Sequence, residues 1–453
     1  MIFLKRRRLI FWLLRAYIKR WRRTIAASFI LGILGFFILR YGINYFIPLL
    51  PFTNEEKIGV EGAFSVDELP TFITSKVSMG LTTLDSNYNV KPGVAKNWEI
   101  KDDGKTYIFY LKDNIEFSDK TLLTSKFINY KFIDAATQTP NKNVVVFRLK
   151  NRYSPFLVTV SRPIFKSGFV GVGDYKVQSI DLNGNFVESI SLRSLKQERN
   201  IITYYFYPTQ ESLKSAFALG EITKAVGLSD TNFQNTNLIL FKKTKVEKNL
   251  NDNSLVTLFF NARDKNLSDK RLREALSYAT PDKFEQGVRN YGPFSPNLWI
   301  SDSGLARYSQ DFDHSRLLLN DSESFKSNKT LKFELKTFPK YLDIAKKLQI
   351  EWKKIGINID IKIVDILPSD FQMFLGDFRV PKDPDQYILW HSEQPNNISG
   401  YKNLRIDKLL EDGRQIVNTS ERRKIYTDFQ KYLLDDPPAI FLIFPYQYTI
   451  SRI

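Results

Sequence analysis

The densest concentration of chemically useful side chains lies between Asp383 and Ser392, where Asp383-Pro384-Asp385-Gln386-Tyr387 leads into Trp390-His391-Ser392. Two carboxylates, a phenol, an indole and an imidazole within ten residues suit a polar ligand held by hydrogen bonds and ring stacking. A turn capped by the Asp residues, followed by a strand with Trp390 in the core, accounts for the same residues equally well. The next loop offers Asn397 and Tyr401 to that ligand, although turn chemistry also explains Asn and Gly there. Asp102-Asp103-Gly104 carries two acids but reads as a hairpin turn ahead of a strand. Asn261, Arg271 and Arg273 form a further polar group, with the arginines read as salt-bridging or helix-capping. Trp98 and Tyr107 are expected in the core.

Nothing in the pattern points to catalysis. Gly-x-Ser-x-Gly, a phosphate loop and His-x-x-x-His are all missing, so no enzyme is expected. The chain of 453 residues has no Cys, and its two histidines, His314 and His391, stand 391 − 314 = 77 positions apart. Disulfides, zinc ribbons, iron–sulfur clusters, a cysteine nucleophile and a lipid-bearing cysteine are therefore excluded, and neither a cofactor nor a metal is expected. The net charge of +17 is concentrated at one end: residues 1–24 hold nine basic residues and no acid, leaving 57 basic against 49 acidic elsewhere. An excess of eight over that length is not the footprint of a nucleic-acid binder.

The basic cluster immediately precedes Ile25–Leu39, a charge-free apolar run, and apolar character resumes after Arg40 as far as Pro51. About 20 such residues cross a bilayer. Because the positive charge lies wholly before the run, residues 1–24 are expected in the cytoplasm, 25–50 as an anchor in the cytoplasmic membrane, and the remainder outside it. No small-x-small cleavage pattern follows, which favours an uncleaved signal anchor over a signal peptide. The segment Ile2–Arg23 reads either as an interfacial helix on anionic lipid or as a long positive leader.

The remaining chain mixes strands and helices, which implies α/β lobes. Thr106–Lys112 and Val144–Lys150 are β-rich, and Asn54–Lys57 reads as a linker. Leu331–Lys336 and Ile357–Val364 alternate like strands. Between them Tyr341–Ile355 places Tyr341, Ile344, Ala345, Leu348 and Trp352 on one helical face, with Gly356 as its C-cap. Strand, helix, strand makes a βαβ unit. Further helices are expected at Ser268–Ala279, Asp282–Val288 (with Thr280-Pro281 as its start), Ile406–Val417 and Ser420–Asp435.

Four blocks resemble the peptide/nickel/oligosaccharide class of extracellular solute-binding proteins, family 5. Gly80–Asp119 resembles the family run that joins a Pro-x-x-Ala-x-x-Trp segment to Asp-Asp-Gly-x-x-Tyr-x-Phe-x-Leu, here through Pro92, Ala95, Trp98, Asp102, Asp103, Gly104, Tyr107, Phe109 and Leu111. Gly171–Val177 resembles Gly-Thr-Gly-Pro-Tyr, with Asp174 in place of Pro. Phe260–Lys283 and Asp383–Arg414 complete the series in family order.

The resemblance implies an α/β, two-lobed periplasmic-binding-protein-like fold of type II, here with an N-terminal transmembrane helix. Lobe one would span 55–253 and be completed by 437–453; lobe two would span 254–436. It implies a solute-binding protein that captures a peptide or oligosaccharide-like solute and delivers it to the permease and ATPase subunits of an ABC importer. A surface receptor or adhesion module reusing the fold is the alternative. Ligand contacts are expected from Asp383, Asp385, Tyr387, Trp390, His391, Asn397 and Tyr401. Peptide-binding members usually carry an Asp three positions before the Asp-Pro pair; Val380 stands there in this chain.

Overall fold

The computed structural model describes residues 2–46, 54–300, 305, 308–327 and 331–453. The chain divides into two compact units, one of residues 1–55 with 197–201 and the other of everything else.

In the first unit, helix α1 (Ile2–Phe46) runs unbroken for 45 residues. The basic segment and the apolar run are therefore one continuous helix. Its stretch Arg15–Ile38 is long and apolar enough to cross a membrane. The last four residues of the expected anchor, 47–50, lie outside the described residues.

Where a linker was expected, strand β1 (Asn54–Glu61) begins. Its Ile58, Gly59 and Val60 are buried, and it pairs in parallel with the strand Lys224–Leu228 in the register Ile58↔Lys224. A run of three buried residues and a ladder partner far along the chain override the polar, linker-like start of this segment.

Beyond β1 the chain makes a small antiparallel sheet from β2 (Ala95–Lys101), β3 (Thr106–Leu111), β4 (Ala135–Asn141) and β5 (Val144–Leu149), in the order β2-β3-β5-β4. Asp102 and Asp103 turn the chain between β2 and β3 with φ of +52° and +54°. Tyr107, Phe109, Phe147 and Phe156 fill the core beneath. Lobe one continues with the hairpin β6 (Tyr175–Asn183) and β7 (Phe186–Ser194), then β8 (Asn200–Tyr207), α2 (Gln210–Leu219) and β9 (Lys224–Leu228).

Strand β10 (Thr244–Leu250) is the last of lobe one before the chain passes through Asn251–Asn253 into β11 (Ser254–Phe260) of lobe two, followed by α3 (Lys270–Tyr278). No helix forms at Asp282–Val288. Asp282 instead accepts bonds from the Gln310 N–H (3.0 Å) and the Tyr291 hydroxyl (2.9 Å). Gly287 starts a short strand, β12 (Gly287–Arg289), where it approaches the Phe444 carbonyl too closely for any Cβ. The expected βαβ unit is present: β13 (Leu331–Thr337), α4 (Leu342–Lys353) and β14 (Ile357–Ile363), with Gly356 at φ +84°. Ile344, Ala345, Leu348 and Trp352 are its buried stripe. Full burial of an aromatic such as Trp352 contributes on the order of 2–3 kcal/mol. The strand β15 (Met373–Arg379) and the helices α5 (Leu404–Gln415) and α6 (Thr419–Asp435) follow.

The last strand, β16 (Ala439–Arg452), belongs to both lobes. Among the described residues twelve strands form one sheet, with β16 between β11 on the lobe-two side and β9 on the lobe-one side. Its first residues pair with β11 (Phe259↔Ala439) and β12 (Arg289↔Ile443). Its later residues pair with β10 (Leu250↔Tyr446, Thr244↔Arg452) and β9 (Leu228↔Tyr448).

Candidate functional site

Two chain segments carry the sheet from lobe to lobe: β16 near Pro445, and Asn251–Asn253 between β10 and β11. They are tied together by the Asn251 N–H, which donates to the Pro445 carbonyl at 2.9 Å. The registers fix what faces this crossing. In lobe one, β1 and β9 are parallel and their carboxyl ends approach it, since Leu228 pairs with Tyr448 whereas Lys224 pairs with Ser451. In lobe two, β13, β14 and β15 are parallel, and the carboxyl end of β15 reaches the crossing, because Arg379 pairs with Ser254. Carboxyl ends of parallel strands are where α/β sheets bind ligands. Both lobes therefore turn carboxyl ends of parallel strands toward one junction.

Polar groups at the junction bridge the lobes. The Asp252 carboxylate accepts the Tyr88 hydroxyl at 2.7 Å and the Asn297 amide at 2.6 Å, both on Oδ2. Tyr88 comes from a hairpin of lobe one, Thr82–Leu84 with Val90–Pro92; burial and then Asp252 push its phenol pKa well up. At the head of β11, Asp377 accepts Ser254 Oγ (2.6 Å) and pairs with Lys340 (3.0 Å). Burial alone would raise its pKa; Lys340 and the hydrogen bonds outweigh burial and hold it below the usual carboxylate range.

The Asp383–His391 block lies directly beyond β15, and its polar atoms are bonded within lobe two and to its helices. Asp383, 8% exposed, receives the Arg422 fork at 2.7 and 3.1 Å. Burial opposes the Arg422 charge, but Asp383 more than compensates and the guanidinium pKa rises. Asp385 is bonded to Arg414 Nε at 2.9 Å; burial, reinforced by Asp383, still leaves its pKa raised. Trp390 is 2% exposed, packed on Phe259 and Phe441, with its indole N–H on Gln386 Oε1 at 2.8 Å. The His391 ring lies 4.2 Å from that of Tyr387. Its Nδ1 accepts the Glu393 N–H, and Nε2 lies 3.4 Å from Glu411. The half-buried Tyr387 also has the Arg414 guanidinium 4.3 Å from its ring.

Asn397 and Tyr401 are buried at the other end of β11, away from the crossing. Asn397 donates to the Tyr401 carbonyl (2.8 Å), Tyr401 donates to Asp436 (3.0 Å), and the adjacent Ser399 carbonyl accepts the Ala262 N–H (2.9 Å). Arg273 is buried beside them, donating to the Pro437 and Leu267 carbonyls and paired with Asp436. The block and this loop thus sit at opposite ends of one strand. Sequence reasoning missed Tyr88, Asp252 and Asn297. The only signal for them was a polar Asn251-Asp252-Asn253 break between two strand-like runs.

The sequence model of the bacterial extracellular solute-binding proteins, family 5, matches residues 126–400. The oligopeptide-binding protein AppA of Bacillus subtilis is 25% identical over 84% of this chain and 83% of its own length. Among solved structures, NikZ from Campylobacter jejuni in complex with Ni(L-His) covers 88% of this chain and 94% of its own, at 22% identity and a TM-score of 0.71. AppA from Bacillus subtilis in complex with a nonapeptide covers 89% and 95%, at 20% identity and a TM-score of 0.67. These likenesses carry the two-lobed fold.

Proposed function

This chain belongs to the bacterial extracellular solute-binding proteins, family 5, which serve ABC importers, and from that premise we propose that it is a receptor held in the cytoplasmic membrane by its own N-terminal helix, capturing a peptide or similar solute between its lobes and passing it to an ABC permease. The observation that carries this reading is the convergence of strand ends from both lobes on one junction that, among the described residues, two segments cross. Such a geometry lets the lobes part and close about the crossing, with ligand favouring the closed state. The relatives are solute-binding proteins rather than enzymes.

Ligand contacts come, in this reading, from the strand ends around Thr337–Lys340, Val364–Leu367 and Arg379–Lys382. Asp383, Asp385, Tyr387, Trp390 and His391 form the wall behind them, in keeping with their burial and internal hydrogen bonds. Asn397 and Tyr401 hold the far end of lobe two. The basic half of α1 lies on the cytoplasmic side and the lobes lie outside, as its one-sided charge requires.

The test is native mass spectrometry of the full chain, purified into nanodiscs without denaturation. Retained peptide-like mass supports capture. A chain that carries none and binds none from a tetrapeptide library argues against it. Protease added to intact spheroplasts should remove both lobes; protection until lysis would reverse the orientation.

A further inference from the structure

We infer that Tyr88, Asp252 and Ser154 are positioning residues that latch the two lobes together at two separate points, setting how often the cleft is shut before any solute arrives. This rests on the receptor reading above.

The first point is the Asp252 carboxylate. One oxygen takes a hydrogen bond from each lobe, Tyr88 Oη at 2.7 Å and Asn297 Nδ2 at 2.6 Å. Tyr88 is brought there at a cost. Its φ is +58°, a left-handed conformation unfavourable for an aromatic residue. The turn is imposed by Asp85, which accepts the Asn87 and Asn89 N–H groups at 2.9 Å each while its carbonyl accepts the Tyr88 N–H at 3.0 Å. The strain persists where the surroundings over-determine it, and here they aim a hydroxyl at a carboxylate 164 residues away in sequence.

The second point is a helix end. The last carbonyls of α5 have no partner within the helix. Lobe one supplies one: the Ser154 N–H donates to the Arg414 carbonyl at 2.7 Å, and Ser154 Oγ donates to the Ile416 carbonyl just beyond. The Arg414 guanidinium lies 5.3 Å from the Tyr153 ring. The turn at Gly104 approaches so closely that a Cβ there would meet Val417 at 2.6 Å.

If the lobes separate, the Ser154 contacts are lost and Asp252, which sits in the crossing itself, cannot keep a partner from each lobe; water can replace each lost partner. The latch therefore biases an equilibrium between shut and open forms and leaves folding largely untouched.

The chain contains no cysteine, so Lys120→Cys and Lys408→Cys would be its only labelling sites; the two lysines are 86% and 66% exposed. Spin-label distances are measured on the full chain in nanodiscs, stripped of cargo by unfolding and refolding. The doubly labelled parent should show a short distance. Combining Tyr88→Phe with Ser154→Ala should move the shut-to-open ratio by on the order of tenfold with little change in melting temperature. Ser154→Thr, which restores the hydroxyl, should restore most of the ratio relative to Ser154→Ala. Superimposable distance distributions in parent and variant overturn the latch, as does a lowered melting temperature with unchanged distances. A tetrapeptide library is then added. If it moves neither protein, the peptide-receptor reading fails, while the cargo-free comparison still decides the latch.

Discussion

The Asp383–His391 block and the Asn251–Asn253 junction are both rich in hydrogen-bonding side chains, yet they use them differently. Asp383 is closed off by Arg422, 39 residues away on the same lobe, and Trp390 by Gln386, four residues before it. Asp252 instead joins Tyr88 of lobe one to Asn297 of lobe two. Two carboxylates mark the contrast. Asp385 in the block is raised by burial, whereas Asp377 beside the junction is lowered because Lys340 and its hydrogen bonds overcome burial. A cluster of chemically capable residues can thus be hydrogen-bonded within one lobe, while the groups that bond between lobes are scattered along the sequence.

The largest effect should come from breaking the block's packing. Trp390→Ala removes a buried indole from between Phe259 and Phe441 and should cost about 4 kcal/mol of stability, read by urea denaturation. Arg422→Ala leaves the Asp383 carboxylate buried without its cation and should cost about 3 kcal/mol in the same assay. A loss below about 1 kcal/mol for either would mean that the block is more open than its burial indicates.

The junction carboxylate should give a smaller, pH-dependent signal. The folded-state pKa of Asp377 lies below its ordinary value of 3.8, so its stabilisation is present above that value and is lost as pH falls through the folded-state value. Asp377→Asn should therefore lower stability by about 1 kcal/mol at neutral pH and converge with the parent as the pH falls below the folded-state value. Parallel stability–pH curves would remove the assignment. Comparable in size, His391→Ala should cost about 1 kcal/mol and leave retained cargo unchanged, because the imidazole is buried but its neighbours Glu411 and Tyr387 lie at a partly exposed edge that can close over the gap. Loss of cargo with an unchanged melt would move the imidazole from the wall to the ligand.

How much of this was legible in the sequence depended on range. The βαβ unit could be read because Leu331–Lys336 and Ile357–Val364 alternate, Ile344 to Trp352 repeat at helical spacing, and Gly356 has the required conformation, all of them local signals. The turn at Asp102-Asp103-Gly104 was legible for the same reason. The helix expected at Asp282–Val288 failed because β12 pairs with β16 near Pro445, a non-local demand that outweighs a Thr-Pro start. The strand at Asn54 was hidden by its charged residues until β9 was known to lie beside it. The block was recognised as polar and aromatic, but Arg422 and Arg414, which engage its carboxylates, sit on α6 and α5 with no spacing that announces them. Tyr88 and Asp252 share no local pattern at all.

The strand shared by the two lobes also has a consequence for how the molecule is made. All the strands that β16 pairs with are synthesised long before it, and it occupies the middle of the sheet. A chain made from its amino end cannot complete the ladder of either lobe until Ala439–Arg452 has been synthesised. Until then β9, β10, β11 and β12 each present unpaired backbone that invites misassociation. Late completion would keep the nascent chain loose enough for passage through a narrow translocation channel and would make both lobes fold almost together. A stalled chain ending before Ala439 should accordingly be cut by protease in both lobes, whereas one extended past Arg452 should resist in both.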